Sequence, residues 1–151
     1  MQWEFGLQAL NGRGRGVSMP EQDTARRAMQ KKRAGKKPTT QAGEFVREEM
    51  HHIREGKHGA RSTKQAIAIG LSKARRAGVQ LRPPPKGKTA ESTRSNAKRD
   101  YRNGQASPKP KAAPRRSRAT LGALQREGHR AASRKALSQQ ARRTAHRRRA
   151  A

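Results

Sequence analysis

The side chains best suited to metal or acid–base chemistry lie in one short stretch of the sequence. Within it, two glutamates and three histidines recur three or four residues apart, the spacing that places side chains on one helix face. They are Glu48, His51, His52, Glu55 and His58. A carboxylate-bridged metal centre uses such spacings on two facing helices, and here one helix supplies all of them. We therefore interpret the stretch as a solvated polar face and predict no metal site, no cofactor and no catalytic residue.

Other reaction chemistry is excluded by absent residues and motifs. The chain has no cysteine, which excludes thiol catalysis, disulfides and Cys-ligated metal. The sequence contains no complete G-x-x-x-x-G-K-[S/T] phosphate loop and no G-x-S-x-G nucleophile elbow. We predict that the protein is not an enzyme.

The most abundant functional groups are cations. The 151 residues include 38 Lys and Arg against 10 Asp and Glu, a formal charge of +28, and residues 82–151 alone carry 21 basic and 3 acidic side chains. Duplex DNA presents one phosphate charge about every 1.7 Å, and each phosphate that is neutralised releases a counterion. Such a polycation is typical of a protein that binds nucleic acid. The candidate phosphate-binding residues are Lys64, Lys73, Arg75, Arg76, Arg115, Arg116, Arg118, Arg126, Arg130, Arg134, Lys135, Arg142, Arg143, Arg147, Arg148 and Arg149.

Few aromatic side chains are present to stack on exposed bases. Phe45 is assigned to the core, which leaves Tyr101 and, near the N-terminus, Trp3 and Phe5. Proteins that bind single strands depend on aromatic stacking, so this scarcity favours duplex DNA or structured RNA as the partner.

The cations are carried by a chain with little apolar material. Only 15 residues are Leu, Ile, Val or Phe, and 24 of the 45 residues counted as hydrophobic are Ala. Low aliphatic content with high net charge is typical of disorder and excludes a large enzyme-like core. We predict a mostly disordered chain with a small all-α core, built as a helix-loop-helix hairpin, plus a C-terminal basic helix.

The first helix of the hairpin is predicted from an apolar stripe at helical spacing. Its start is assigned to Thr39 or Thr40, and its end to Gly56. Three glutamates at 44, 48 and 49 lie early in the segment, where negative charge favours the helix dipole. The stripe consists of Phe45, Val46, Met50 and Ile53.

The second helix is predicted from its capping signals. Ser62 and Gln65 have the spacing of a capping box, and Gly78 is placed for a left-handed C-cap with Val79 as its hydrophobic contact. The helix runs to about residue 77 and presents Ile67, Leu71 and Ala74 on one face. Gly70 inside it costs about 1 kcal/mol relative to Ala, which predicts close approach of the first helix at that point.

Three sequence blocks around this hairpin resemble a family of small, basic, uncharacterised bacterial proteins. The blocks are Lys57-His58-Gly59, STKQAIAIGLS from Ser62 to Ser72, and ARRAG from Ala74 to Gly78. The resemblance covers about residues 44–79, and it implies a bacterial source and a two-helix core without an established activity. The Lys-Pro and Ala-Pro steps at 108–114 resemble the tails of linker-histone-like bacterial proteins in composition only.

The sequence divides into four regions. Residues 1–40 are predicted to be a disordered basic arm. Translation is expected to start at Met19, and the alternative is that the run from Gly12 to Gly16 is an Arg-Gly nucleic-acid arm. Residues 41–82 form the hairpin. Residues 83–118 are a Pro/Lys-rich linker holding six of the eight prolines, with a short helix from Thr89 that Asn103-Gly104 ends. Residues 119–151 are an Ala/Arg-rich basic helical tail.

These features predict non-sequence-specific binding of nucleic acid, with duplex DNA favoured, by a cytoplasmic, nucleoid-associated protein. The alternative is an RNA- or ribosome-associated basic protein. A sequence-reading helix-turn-helix would use Lys64, Lys73, Arg75 and Arg76, but Gln65 is the only amide side chain on its second helix. A polybasic membrane-surface role lacks Trp, Phe or Ile in the tail to insert into lipid. Because about 40 residues lie near the lower limit for independent folding, a homodimer through the hairpin is also considered.

Overall fold

A computed structural model of the chain describes residues 22–107 and 113–150, and within these ranges all regular structure is helical. The elements are α1 (Gln22–Arg33), α2 (Pro38–Arg54), α3 (Thr63–Arg76), α4 (Glu91–Gln105), α5 (Pro114–Gln125), a short 3-10 helix (Arg130–Ala132) and α6 (Arg134–Arg149). The predicted small all-α fold is therefore confirmed. The prediction of a mostly disordered chain is not, because α1 lies in the predicted arm and α4, where a short helix was predicted, packs on α3. The predicted start at Met19 and residues 108–112 of the linker lie outside the described residues.

The hairpin of α2 and α3 is the centre of the fold, and its helices approach closely at Gly70. A Cβ atom on Gly70 would lie 2.7 Å from the Cα of Val46 and 3.0 Å from its Cγ2. Such distances leave no room for a side chain, so the predicted close approach is confirmed.

Both ends of α3 follow the sequence signals. The Ser62 hydroxyl accepts a hydrogen bond from the Gln65 N–H at 3.2 Å, while the Gln65 side chain accepts from the Arg61 N–H at 2.7 Å. Gly78 has φ +100°, and the Val79 N–H donates to the Ala74 carbonyl at 3.1 Å. Val79 is buried. The predicted N-cap and left-handed C-cap are confirmed.

The start of α2 differs from the prediction. The helix begins at Pro38 with Lys37 as N-cap, and no side chain of the described residues caps it. Proline fits the first helical position because its missing N–H needs no partner there. The first turn therefore contains no acidic residue, and the helix-dipole role assigned to the three glutamates is wrong. The predicted stop at Gly56 is confirmed, with φ +73° and a Lys57 N–H to His52 carbonyl bond of 3.0 Å.

The apolar stripe of α2 packs into two separate clusters instead of one. Phe45 lies with α1 and the end of α3, whereas Met50 and Ile53 lie with the C-terminal segment, residues 124–150. The first cluster contains Ala28, Ala42, Phe45, Ala74 and Val79. The second contains Met50, Ile53, Ala60, Ala66, Ala131 and Ala132. Small residues dominate both clusters, which lets the helices approach closely without large side chains.

Helix α4 packs on α3 through small and polar groups. A Cβ atom on Gly104 would lie 1.8 Å from the carbonyl oxygen of Arg75, so Gly104 is a packing contact inside a helix that extends to Gln105. The Ser72 hydroxyl donates to the carboxylate of Asp100, and the Gln105 side chain donates to the Gly78 carbonyl at 3.3 Å.

The C-terminal segment is hydrogen-bonded to the loop of the hairpin. The N–H groups of Gly59 and Ala60 donate to carbonyl oxygens of Leu124 and Gly128 at 2.8 and 3.0 Å. The Thr63 hydroxyl donates to the Ala131 carbonyl at 2.7 Å, and Arg54 Nε donates to the Ala132 carbonyl at 2.8 Å. Helices of the same chain thus cover the hairpin, which removes the reason given above for a homodimer.

Candidate functional site

Half of the carboxylates of the described residues are buried. Glu44, Glu48, Glu49 and Asp100 are buried. Glu44 accepts from Arg27 Nε at 3.0 Å and is ion-paired with Lys31, which joins α1 to α2. These bonds lower the pKa of Glu44, with the Lys31 bond the largest cause and burial opposing it.

Three exposed carboxylates pair with cations close to them in sequence. Asp23 contacts Arg26 at 3.0 Å, Glu55 contacts Lys57 at 3.1 Å, and Glu91 contacts Arg94 at 3.2 Å. Each of these acids is compensated locally. Neither the buried nor the paired acids offset the charge of the C-terminal helices.

Two of the predicted phosphate-binding residues are buried and are withdrawn from that role. Lys73 Nζ lies 2.7 Å from Glu49 Oε2, and Arg75 Nε donates to the Leu81 carbonyl at 3.1 Å. Burial lowers the pKa of Arg75, and the charge of Asp100 opposes that shift. Helical periodicity places these two cations on the second hairpin helix but does not show that they face the interior.

The other fourteen predicted residues are exposed. Lys64 and Arg76 lie at the two ends of α3, and the remaining twelve form what we term the tail surface, the exposed cations of residues 113–150. That range contains twelve Lys and Arg and a single acid, Glu127. No ion pair within the described residues involves any of the twelve.

Helix α6 arranges part of the tail surface in a line. Its Leu137 packs against the core, which fixes the inward side of the helix. At 100° per residue, cations seven residues apart recur on nearly the same side, about 10 Å apart, and here that side is opposite Leu137. The outward line consists of Lys135, Arg142 and Arg149. Their charges lie along one surface where a phosphate backbone can follow them.

A cleft of about 320 Å³ joins the start of α3 to α6. Its charged members, Lys64 and Arg143, are far apart in sequence, and the fold brings them to the same opening. The cleft is lined by Ser62, Thr63, Lys64, Ala136, Gln139, Gln140 and Arg143. It extends the tail surface onto the hairpin.

The stacking residues considered above add little to this surface. Tyr101 is half-buried on α4, and Trp3 and Phe5 lie outside the described residues.

The predicted solvated face of α2 is only partly correct. His51 and Glu55 are exposed, but Glu48, His52 and His58 are buried. The rings of His52 and His58 meet edge to face, with centroids 6.1 Å apart.

The buried side of this group also contains Glu49, which does not belong to the set predicted from the sequence. His58 Nε2 lies 3.3 Å from Glu49 Oε1. Glu49, His52 and His58 each offer a potential ligand atom, and these atoms lie within 4.8 Å of one another. The i, i+3 spacing of Glu49 and His52 on α2 is the sequence signal from which this pair could be predicted. Lys73 and His58 reach Glu49 only through the tertiary fold.

Comparison with known proteins gives no relative from which to transfer a role. No family model, no curated protein and no solved structure matches the chain. Among the described helices, none has the length and apolar character needed to cross a membrane.

Proposed function

We propose that the protein binds the phosphate backbone of nucleic acid, principally duplex DNA, without reading its sequence. The observation that carries the proposal is the different placement of acidic and basic side chains. Buried or locally paired positions account for most acids of the described residues, whereas all twelve cations of the tail surface are exposed. A polyanion supplies the compensating charge and releases its condensed counterions in return.

The burial of Lys73 and Arg75 also favours backbone binding over base reading. A helix-turn-helix based on α3 would lose two of its four candidate cations to the interior. The side chain of Gln65, its only amide, accepts from the Arg61 backbone. Base readout needs Arg, Asn or Gln directed at successive base pairs, so these contacts support backbone binding instead.

The test is the salt dependence of binding to a short duplex, measured by fluorescence anisotropy. We expect log K to fall linearly with log salt with a slope steeper than about −6, and scrambled duplexes to bind within a few-fold of one another. The triple variant Lys135→Ala, Arg142→Ala, Arg149→Ala should make the slope shallower by about 2.7, which is about 0.9 for each lost contact.

A control variant that loses the same number of cations elsewhere distinguishes binding by the tail surface from attraction by the net charge of the chain. The triple variant Arg26→Ala, Lys32→Ala, Arg33→Ala removes three exposed cations from α1 and should leave the slope nearly unchanged. The proposal would be contradicted if both variants lost the same amount of salt slope. It would also be contradicted if a single duplex sequence bound about a thousandfold more tightly than others. Such a preference would exceed what backbone contacts provide.

Competition between duplex DNA and structured RNA at fixed salt distinguishes the two polyanions. Stronger competition by DNA supports a nucleoid-associated role. Stronger competition by RNA favours an RNA- or ribosome-associated protein that uses the same tail surface.

A further inference from the structure

We propose that Glu49, His52 and His58 form a binding site for a divalent transition metal ion of the zinc type. The three residues come from two elements, α2 and the loop after it. All three are buried, and Glu49 is fully so, with 0 % of its surface exposed. Two imidazoles and one carboxylate are a ligand set that proteins use for Zn²⁺.

The distance between Glu49 and His58 fits two ligands of one ion. Ligands bound to tetrahedral zinc at about 2.0–2.1 Å lie about 3.3 Å from each other. Glu49 Oε1 and His58 Nε2 are 3.3 Å apart. Among the described residues, neither oxygen of Glu49 accepts a hydrogen bond of good geometry, although Lys73 Nζ and His58 Nε2 are near.

The orientation of His58 gives a second, independent reason. Its Nδ1 lies 3.1 Å from the carbonyl oxygen of Gly59, to which a protonated Nδ1 donates. The neutral ring then directs the lone pair of Nε2 at a carboxylate oxygen. Two lone pairs in that arrangement need a cation between them, either a metal ion or a second proton on the ring. Donation from the far ring nitrogen to a backbone carbonyl is also how metal-bound histidines are commonly oriented.

Lys73 and a nearby cleft complete the surroundings. Lys73 pairs with Oε2 of Glu49, which leaves Oε1 directed at His58. A cleft of about 300 Å³, lined in part by His51 and His52, lies beside the α2 face that carries the site.

A bound ion would connect α2 to the loop that docks the C-terminal segment. His58 directly precedes Gly59 and Ala60, whose N–H groups bind the carbonyls of Leu124 and Gly128. The expected role is structural, because the ion would stabilise this loop in its docked conformation.

The experiment is a calorimetric titration of untagged, chelator-treated full chain with Zn²⁺, with Mg²⁺ as the competing hard cation. We expect one Zn²⁺ per chain with micromolar or tighter affinity, no competition by Mg²⁺, and an increase in Tm of about 5–10 °C at saturating Zn²⁺. His52→Gln and His58→Gln should each weaken binding at least about tenfold, whereas the exposed neighbour variant His51→Gln should not.

Two outcomes overturn the proposal. One is the absence of stoichiometric Zn²⁺ binding, which would mean that a proton satisfies the cluster. The other is equal weakening by His51→Gln and His52→Gln, which would place the ion at the surface. If His52→Gln and His58→Gln both fail to fold, the absorption spectrum of the wild-type chain loaded with Co²⁺ tests the proposal instead. The intense visible absorption of a four-coordinate N/O site, abolished by Zn²⁺, supports the proposal, and a weak six-coordinate spectrum refutes it.

Discussion

Two helical glycines of the hairpin lie in opposite surroundings. Gly70 on α3 contacts the backbone of Val46, whereas a Cβ atom on Gly43 of α2 would meet nothing within 4 Å. Both lie inside helices, where alanine is favoured over glycine by about 1 kcal/mol. Any difference between their alanine variants therefore reports the packing of the hairpin.

We expect Gly70→Ala to destabilise the protein by about 1–3 kcal/mol, because the added methyl group forces the two helix backbones apart. Gly43→Ala should instead stabilise it by about 0.5–1 kcal/mol through helix propensity. Urea unfolding of both variants followed by circular dichroism tests this. If Gly70→Ala is as stable as Gly43→Ala, the close approach of α2 and α3 is absent in solution.

The ion pairs of Glu44 make stability depend on pH. The pKa of Glu44 is lowered in the folded state, chiefly by its bond to Lys31 and also by that to Arg27. A lowered folded pKa means that the paired carboxylate contributes stability above its unfolded value near 4.5 and loses it as pH falls through the folded value.

We therefore expect Glu44→Gln to lower the free energy of unfolding by about 1 kcal/mol at pH 7 and by less as the pH falls below 4.5. Glu91→Gln is the matched control, because Glu91 forms an exposed i, i+3 pair with Arg94 and exposed pairs contribute little. Thermal unfolding between pH 3 and pH 7, about the range in which carboxylates titrate, measures both variants. Parallel pH profiles for Glu44→Gln and the wild-type chain would refute the assignment.

At the scale of elements, the sequence predicts helices whose ends and contacts are local. The capping of α3 by Ser62 and its end at Gly78 follow from residues within a few positions of each other. Gly70 indicates a close approach, but its partner Val46 lies far away in the sequence. Helices α1 and α4 were not assigned to the core because few apolar side chains mark them. Their buried positions include Thr24, Ala28, Ala97, Asp100 and Gly104, small or polar residues whose burial depends on partners elsewhere in the chain.

The docking of the C-terminal segment depends on the absence of a side chain at Gly59. A Cβ atom there would lie 1.9 Å from the carbonyl oxygen of Glu127, whereas one on Gly128 would meet nothing within 4 Å. Gly59→Ala should release the segment while α1 to α4 remain folded, and Gly128→Ala should not. Hydrogen exchange measures this, with faster exchange expected across residues 124–133 in Gly59→Ala only. Uniform protection in both variants would show that the segment docks by other contacts.

At the scale of the whole molecule, composition predicts the sign of the charge but not its distribution. The excess of Lys and Arg is evident from the sequence, and it underlies the nucleic-acid hypothesis. Tertiary contacts, such as Lys73 with Glu49 and Arg75 with Leu81, determine which cations remain exposed for contact with phosphate. Alanine was correctly counted as burying little area, yet Ala42, Ala66, Ala74 and Ala132 are fully buried where helices meet. A small core therefore forms where aliphatic content alone predicts disorder.

The relative importance of the folded hairpin and of the tail cations for DNA binding can be measured with two variants. Leu71 packs against the Phe45 cluster, and Leu71→Ala should cost about 2 kcal/mol, toward the lower end for leucine because the side chain is only partly buried. All exposed cations remain in this variant. A second variant replaces six tail arginines with Gln, which keeps helix propensity and side-chain length. These are Arg115, Arg116, Arg118, Arg142, Arg143 and Arg147.

If phosphate contacts reside mainly on the tail surface, Leu71→Ala should bind duplex DNA within a few-fold of the wild-type affinity, even at temperatures where it begins to unfold. The six-arginine variant should remain as stable as the wild-type chain and lose about five units of salt slope, because each lost contact removes about 0.9. Anisotropy titrations at several salt concentrations, with circular dichroism on the same samples, measure both quantities. The reverse ranking would mean that the folded hairpin makes the contacts through exposed residues such as Lys64 and Arg76, and a helix-based reader would then replace the backbone-binding proposal.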